Sequence, residues 1–319
     1  MSRSPAGVPG PRRGRWRRAL LGIGIGWTLV VAGLVAQLDA SAANPSYALY
    51  ATGTAQGVDT GGDHGDLVWI LAVGSDARPG ERITRSRGDA IQLVGVNTAT
   101  GHGVVLGIPR DSYVPIPGHG SNKLNSALVF GGPELIARAV GDMVGVQPDF
   151  VFVTGFLPFT KLVNDLGGLQ IDVPESVDSP SVQVKAGSQK LAGHKALMYA
   201  RARHGVPGGD FGRSLHQGAE LTAMLSQLRK ADPRHVGGAA LGMLREGIAV
   251  KTSPAQAFRL YQAGMAANPS TFRHCVFAGG FGMAGSASVV VVNRPAVRRV
   301  MADVASDATL AGSCPPGQP

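Results

Sequence analysis

The sequence has few of the residues that mark a common catalytic or metal-binding site. Only two of its 319 residues are cysteines, Cys275 and Cys314, and their spacing matches no metal-binding pattern. Its eight histidines are scattered, and there is no P-loop, G-x-S-x-G elbow, H-E-x-x-H helix or C-x-x-C pair. These absences exclude the chemistry that such motifs indicate, so any activity must rest on another set of side chains.

Acidic residues are also absent from the first 18 positions, which instead carry six arginines. These are Arg3, Arg12, Arg13, Arg15, Arg17 and Arg18. The next twenty residues, Ala19–Leu38, are uncharged and mostly apolar, which is long enough to cross a bilayer as one helix. By the positive-inside rule, residues 1–18 are then a cytoplasmic basic tail, and the rest of the chain is extracytoplasmic. A cleaved signal peptide is the alternative, because residues 40–42 (Ala-Ser-Ala) resemble a cleavage site.

The strongly basic composition is mostly a property of this N-terminal segment. The chain carries a net charge of +9, from 30 Lys and Arg against 21 Asp and Glu. Without the six N-terminal arginines, 24 basic residues face 21 acidic ones, a net charge of only +3. We therefore expect no nucleic acid as a partner, and the anionic inner lipid leaflet as the partner of the basic tail.

Hydrophobic patterning divides the rest of the chain. Residues 39–65 are small, polar and glycine-rich, and predict a flexible tether. Over residues 66–304, apolar runs alternate with amphipathic stretches, which predicts an α/β/α sandwich with a central mixed β-sheet. The predicted strands are residues 67–73, 90–96, 103–108, 150–154, 169–173, 197–200, 272–277 and 289–292. The predicted helices are residues 133–144, 156–166, 215–228 and 254–267. Residues 305–319 are expected to be irregular, and the two cysteines either pair or stay buried thiols.

Charged residues flank the predicted strands in four clusters. The clusters are Gly74–Arg78, Arg85–Asp89, Ile108–Asp111 with Lys123–Asn125, and Tyr199–Arg203 continuing into Gly209–Arg213 and Gln217. Arg201 and Arg203 are two apart on a predicted strand, so both side chains should point the same way. One such cluster is ordinarily a surface salt bridge, but four at sheet edges favour a shared ligand crevice.

The chemistry of these clusters favours a polyanion together with a divalent cation. Arginine forks match phosphate oxygens, and lysine adds a point charge. Asp76 and Asp89 are hard oxygen ligands of the kind that Mg²⁺ takes. The apolar stretch over residues 150–159 is either ordinary core or the wall of a pocket for a lipid tail.

The charged clusters belong to a longer series of nine short segments. In order, these are Gly74–Arg78, Arg87–Asp89, Ile108–Asp111, Lys123–Asn125, Gly131–Pro133, Asn164–Gly168, Asp172–Pro174, Ala200–Arg203 and Gly209–Arg213. This series, from about residue 67 to 230, resembles the LytR-CpsA-Psr family of cell envelope glycopolymer transferases, and the composition resembles an actinobacterial member. The chain departs from the family at Gln217-Gly218, where two glutamines are common, and in the short segment between Arg110 and Lys123.

The resemblance implies a domain that holds a polyprenyl-pyrophosphate-linked glycopolymer, with the lipid tail in a hydrophobic tunnel. It implies transfer of the glycopolymer to peptidoglycan through a phosphodiester link during cell wall biogenesis. Asp76 and Asp89 would bind Mg²⁺. The implied pyrophosphate ligands are Arg87, Arg110, Lys123, Arg201, Arg203 and Arg213. The implied catalytic residues are Arg87, Asp89, Arg110, Arg201 and Arg203, supported by Asp111, Asn125, Asp210 and Gln217.

Other functions stay open at this point. A non-catalytic scaffold that binds polyprenyl phosphates would need the tunnel and the arginines but not the metal carboxylates. A pyrophosphatase would use water in place of the sugar hydroxyl. Transcriptional regulation, a role historically attached to the family, is disfavoured by the low net charge of the exported part. The candidate general bases are Asp89, Asp111 and Asp210.

Overall fold

A computed structural model describes residues 45–52, 65–203, 205–206, 208–230, 242–243 and 246–314. Within these ranges no helix has both the length and the hydrophobicity that a membrane crossing requires. The predicted basic tail (1–18) and membrane span (19–38) lie outside the described residues.

Seven strands form one mixed sheet. Across the sheet they are β12 (Ile248–Lys251), β1 (Tyr47–Ala51), β7 (Phe150–Gly155), β2 (Leu67–Ser75), β3 (Gly88–Asn97), β4 (Gly103–Gly107) and β13 (Arg273–Val276). The central strand β2 pairs antiparallel with β3 and parallel with β7. The predicted mixed sheet is therefore confirmed.

Two-stranded ribbons and helices surround this sheet. The ribbons are β5 (Tyr113–Ile116) with β6 (Gly120–Lys123), β8 (Leu169–Val173) with β11 (Gly187–Leu191), β9 (Val177–Ser179) with β10 (Val182–Val184), and β14 (Gly279–Ala284) with β15 (Ala287–Val292). The helices are α1 (Ser126–Val144), α2 (Phe156–Asp165), α3 (Gly193–Arg201), α4 (Asp210–Lys230), α5 (Pro254–Ala266) and α6 (Arg294–Val304). Ile83–Arg85 and Pro269–Thr271 form single 3-10 turns.

Alternate residues of the central strands enter two separate cores, because successive side chains of a strand point to opposite faces. On one face, Leu71, Val73 and Leu93 pack with residues of α1 and α6. On the other, Val68 and Val94 pack with α5 and with leucines of α4. Helices therefore cover both faces of the sheet. A third core joins α2, α3 and the ribbons formed by β8–β11.

Local signals account for two helix boundaries. At the start of α5, the Ser253 hydroxyl accepts the Gln256 N–H, and the Gln256 side chain accepts the Ser253 N–H, which is a capping box. Helix α1 is kinked at Gly132, whose φ of 72° favours glycine. Pro133 then opens the second half of α1, as predicted, although the helix already begins at Ser126.

Two of the predicted structural elements were wrong. Residues 197–200 were expected to form a strand but lie in helix α3. Leu197, Met198 and Ala200 favour helices, and an apolar run of four residues does not by itself distinguish the two states. Part of the expected tether, Tyr47–Ala51, is strand β1 inside the central sheet, where it pairs with β7 and β12.

The C-terminal segment is fastened to the edge of the sheet. Cys314 forms a disulfide with Cys275, which is buried in the edge strand β13. Ala308 and Leu310 are buried in the same core as Cys275. Residues 305–314 form neither helix nor strand, and two of their side chains complete this core.

We predict that Cys314→Ser lowers the thermal unfolding midpoint of the protein. The disulfide joins residues 39 positions apart, and a cross-link of this span contributes about 2–4 kcal/mol by restricting the unfolded chain. Thermal unfolding should be followed with and without reductant. Reductant should bring the wild-type midpoint down to that of the variant and leave the variant unchanged; equal midpoints without reductant would contradict a stabilising cross-link.

Candidate functional site

An apolar cavity lies between the central sheet and helices α2, α3 and α4. It encloses about 870 Å³, its open mouth included. Small residues of the sheet make room for it, since Gly74 lies beside Ala90, and Ala72 lies beside Gln92 on the same face. The opposite walls are mostly apolar side chains, namely Phe156, Phe159, Leu162, Leu197, Leu221 and Met224.

The apolar stretch over residues 150–159 serves both as core and as cavity wall. Phe150 and Val153 are fully buried in the two cores of the sheet. Phe152, Phe156 and Phe159 line the cavity instead. The stretch therefore supplies both core residues and part of the wall of an apolar cavity, and the lipid tail stays a prediction.

A second, polar cavity lies on the other side of Asp89. Asp89 lines the apolar cavity, and its carboxylate forms an ion pair with Arg110, which lines the polar cavity. Asp111, Lys123 and Arg203 also line the polar cavity. The predicted charged residues thus separate an apolar space from a polar one.

The backbone carbonyl of Asp89 is held by helix α4. Arg213 donates to it from Nη2 at 3.3 Å, and Gln217 donates from Nε2 at 3.4 Å. Gln217 also donates to the carbonyl of Ala200 at 3.0 Å, which ties the end of α3 to the same point. Gln217 therefore links three elements, β3, α3 and α4, through these two carbonyls.

Arg201 and Arg203 do not share one side as predicted. Arg201 is the last residue of α3, lines the apolar cavity and places its guanidinium 4.5 Å from the centre of the Phe156 ring. Arg203 follows Ala202, whose backbone has left the helix, and its Nε lies 3.9 Å from the Asp210 carboxylate. Because α3 ends between them, the two arginine side chains line different cavities.

Asp210 and Arg213 form a buried pair one helical turn apart. Their charged atoms are 3.0 Å apart, and Arg213 is only 4% exposed. Burial raises the pKa of Asp210 and lowers the pKa of Arg213, and each charge partly opposes the shift of the other. Removing Asp210 would leave the buried Arg213 guanidinium without its ion-pair partner, which is strongly destabilising.

The loop that carries Arg110 is held at several points. Asp111 lies 3.3 Å from Lys123 Nζ and 4.0 Å from Arg110 Nε. The N–H of Asn125 donates to the carbonyl of Arg110 at 3.1 Å, and the Asn125 carbonyl accepts the N–H of Gly88 at 3.4 Å. Asn125, itself 4% exposed, therefore connects this loop to the start of β3.

Asp76 and Arg87, at neighbouring strand ends, are joined by two hydrogen bonds. The Arg87 N–H donates to Asp76 Oδ1 and the Asp76 N–H donates to the Arg87 carbonyl, both at 2.9 Å. Partial burial and the nearby Asp89 carboxylate raise the pKa of Asp76. The two aspartates predicted to bind a metal are thus close enough to interact.

The donor set determines which kind of metal site is possible. Across the described ranges, no three His, Cys, Asp or Glu side chains are grouped so that they could hold a metal. Asp76 and Asp89 offer two carboxylates, and Mg²⁺ is commonly bound by one or two carboxylates together with phosphate oxygens and water. The residues therefore fit a Mg²⁺ ion that is held jointly with a phosphate ligand.

Sequence reasoning missed a polar group in the wall of the apolar cavity. Glu220 is 2% exposed, and its Oε1 has no hydrogen-bond partner among the described residues. Burial raises the pKa of Glu220 well above its ordinary value. Nearby, the His216 ring stacks on Tyr199 at 4.3 Å, and burial lowers its pKa to about 4. The spacing of Arg213, Gln217, Glu220 and Met224 on one face of α4 would have indicated this burial.

The order of these residues along the chain also matches a known family. The LytR_cpsA_psr family model matches residues 36–264. The chain belongs to this family. Strands β13–β15 and helix α6 lie beyond the matched region.

Two curated members of the family resemble part of the chain. Regulatory protein MsrR of Staphylococcus aureus (strain COL) is 36% identical over 151 residues, which are 46% of this chain and 45% of MsrR. Polyisoprenyl-teichoic acid–peptidoglycan teichoic acid transferase TagT of Bacillus subtilis (strain 168) is 34% identical over 148 residues, 43% of this chain and 46% of TagT. The chain thus spans less than half the length of these relatives.

Solved structures of the family share the fold. The structure of TagT with bound octaprenyl pyrophosphate superimposes with a TM-score of 0.57 at 21% identity, over 80% of this chain and 95% of TagT. B. subtilis TagU superimposes with a TM-score of 0.60 at 20% identity, over 79% of this chain and all of TagU. At this identity the comparison establishes the fold.

We predict that Glu220→Gln changes how stability depends on pH. In the unfolded chain Glu220 ionises near pH 4.5, whereas in the folded protein it holds its proton to higher pH. The wild-type free energy of unfolding should therefore lose up to about 1.4 kcal/mol per pH unit above pH 4.5 until the folded group ionises. The free energy of unfolding of the variant should equal that of the wild type near pH 4 and exceed it increasingly towards pH 8. Denaturant unfolding at each pH would measure both.

The exposed Glu175 supplies the matched control. Glu175→Gln should follow the wild type at every pH. The contribution of His216, which is lost as pH falls towards 4, is common to all three proteins. Parallel curves for the wild type and Glu220→Gln would show that Glu220 is not a buried neutral acid.

Proposed function

We propose that this protein is a membrane-anchored, Mg²⁺-dependent phosphotransferase that moves a glycopolymer from a polyprenyl-pyrophosphate carrier onto peptidoglycan. One observation carries the proposal: an apolar cavity ends at a cluster of cations and carboxylates, beyond which lies a polar cavity. A lipid pyrophosphate has the same order of parts. The names of the relatives support this assignment, since TagT is called a teichoic acid transferase and has been solved with octaprenyl pyrophosphate.

The isoprenoid tail would occupy the apolar cavity, where its burial is favourable by about 25 cal/mol per Å² of apolar surface. Arg201 and Arg213 line that cavity near Asp89, and Arg110, Lys123 and Arg203 approach from the polar side. Cations on both sides would hold the pyrophosphate oxygens through charge-assisted hydrogen bonds. Arg87 lines the same polar cavity.

Transfer would take place by attack of an acceptor hydroxyl on the phosphorus that carries the glycopolymer. As the new P–O bond forms, the bond between this phosphorus and the lipid phosphate breaks, leaving polyprenyl monophosphate and a phosphodiester. The arginines would stabilise the negative charge on the departing phosphate. Of the three candidate bases, Asp111 lines the polar cavity and is the best placed to accept the hydroxyl proton.

Asp76 and Asp89 would hold Mg²⁺ together with pyrophosphate oxygens. When bound, the ion would supply charge neutralisation at the phosphates. The protein's own part is to keep the two carboxylates together, which the hydrogen bonding of Asp76 with Arg87 and the Arg110 ion pair of Asp89 accomplish.

The proposed location follows from the sequence pattern and from the chemistry of the substrates. Residues 19–38 would anchor the chain in the cell membrane, with its N-terminus in the cytoplasm and the domain outside. Peptidoglycan is an extracytoplasmic acceptor. The Cys275–Cys314 disulfide is consistent with an oxidising compartment.

We predict that Asp89→Asn reduces transfer by about 100-fold or more, because it removes both a metal ligand and the partner of Arg110. The full-length chain would be incubated with a polyprenyl-pyrophosphate-linked oligosaccharide, uncrosslinked peptidoglycan and Mg²⁺. Asp172→Asn, at an exposed position of β8, is the control and should behave as the wild type. Calorimetry with octaprenyl pyrophosphate present should show Mg²⁺ binding in the control and not in Asp89→Asn.

The products distinguish this proposal from its alternatives. Full transfer by Asp89→Asn would contradict the assignment of the site. Release of sugar phosphate without attachment to peptidoglycan would indicate a pyrophosphatase, and tight lipid binding without any phosphate chemistry would indicate a scaffold.

We also predict that Ala72→Phe weakens binding of octaprenyl pyrophosphate at least tenfold, because the new ring would fill the apolar cavity. Leu157→Phe adds a ring at an exposed position of α2 and should leave the affinity unchanged. Binding would be measured with the full-length protein in nanodiscs, and thermal unfolding would verify that both variants fold. Unchanged affinity in a folded Ala72→Phe protein would place the lipid elsewhere.

A further inference from the structure

The polar cavity is larger than a pyrophosphate requires. It encloses about 1350 Å³, its open mouth included. Besides the charged residues already described, it is lined by hydroxyl and amide side chains, namely Tyr113, Ser121, Asn122, Asn125 and Ser126. Such groups both donate and accept hydrogen bonds, as the hydroxyls of a saccharide do.

One wall of this cavity is the β14–β15 hairpin, which lies beyond the family match. Directly paired residues of an antiparallel ribbon share a face, and here the face that includes the cavity residues carries glycine, alanine and valine. The pairs on this face are Gly280 with Val291, Gly282 with Val289, and Ala284 with Ala287. The small residues leave open space beside the charged cluster.

The hairpin is fixed to the charged cluster at two points. The N–H of Val290 donates to the backbone carbonyl of Asp111 at 2.9 Å. The Phe281 ring meets the edge of the Phe211 ring at 5.8 Å between centres, next to Asp210 on the chain. These contacts therefore fix the position of the hairpin relative to Asp111 and Asp210.

The choice of occupant for this cavity rests on the proposed function. The geometry of phosphoryl transfer then indicates which substrate occupies it. The attacking and leaving oxygens lie roughly in line with the phosphorus. With the lipid tail in the apolar cavity, the leaving phosphate departs towards that side. The acceptor hydroxyl must then approach from the opposite side, where the polar cavity lies.

We infer that the polar cavity is the binding site for the acceptor saccharide, and that the β14–β15 hairpin forms the wall that selects the acceptor. The hydroxyl and amide groups would bind the sugar, and Asp111 would lie beside its attacking hydroxyl. The sugar of the donor would leave the phosphorus sideways and would not need this wall.

Two neighbouring hairpin residues provide the test. Ala287 lines the cavity, whereas Ser288 follows it on the strand and points to the other face; both are exposed. Ala287→Trp should raise the KM for a soluble, uncrosslinked glycan strand of peptidoglycan at least tenfold. The KM for the polyprenyl-pyrophosphate-linked oligosaccharide should stay unchanged. Ser288→Trp should match the wild type in both values, with the full-length chain used throughout.

Two other KM results overturn the inference. A rise in the donor KM alone would assign the cavity to the donor saccharide, and unchanged KM values would remove the hairpin from substrate recognition. If the wild type transfers nothing, the proposed function fails separately. Equilibrium binding of the glycan strand alone then tests the acceptor site. Loss of binding in Ala287→Trp but not in Ser288→Trp supports it, and equal affinity of the two variants overturns it.

Discussion

The ion pair between Asp89 and Arg110 is the contact on which the candidate site depends. Asp89 is the second residue of β3, and its carboxylate orients an arginine of the loop that follows β4. Its backbone carbonyl receives hydrogen bonds from Arg213 and Gln217 of α4. One residue therefore joins the sheet, a loop and a helix at the boundary between an apolar and a polar cavity.

That boundary explains the unusual electrostatics of the site. Desolvation opposes charge on Asp210 and on Arg213, and their mutual attraction offsets part of this effect. Ordinary protein interiors avoid such pairs, because burying two charges costs several kcal/mol for each ion. Asp210 offsets only part of the cost of burying the Arg213 charge. The dianionic pyrophosphate of the proposed substrate would offset more of it.

The sequence allowed the mixed sheet and the charged residues of the site to be predicted, because strands and charge clusters leave local patterns. The four-residue apolar run before Arg201 predicts a strand with the Arg201 and Arg203 side chains on one face. In the structure these side chains enter different cavities, because α3 ends at Arg201. The sequence does not predict strand β1, because this strand is short and borders a glycine-rich segment. The burial of Glu220 results from the packing of α4 over the sheet, and its helical spacing from Gln217 and Met224 is the local pattern that indicates it. The hairpin wall of the polar cavity depends on long-range pairing with Asp111.

The small residues beneath the apolar cavity have a consequence for the evolution and engineering of this protein. Unfilled space in a protein interior weakens stability, so substitutions that enlarge Ala72 or Ala90 belong to the class that ordinarily raises it. Selection for thermostability alone would therefore favour closing the cavity. The proposed lipid tail would need this space, so Ala72 and Ala90 are positions where stability and the proposed function would conflict.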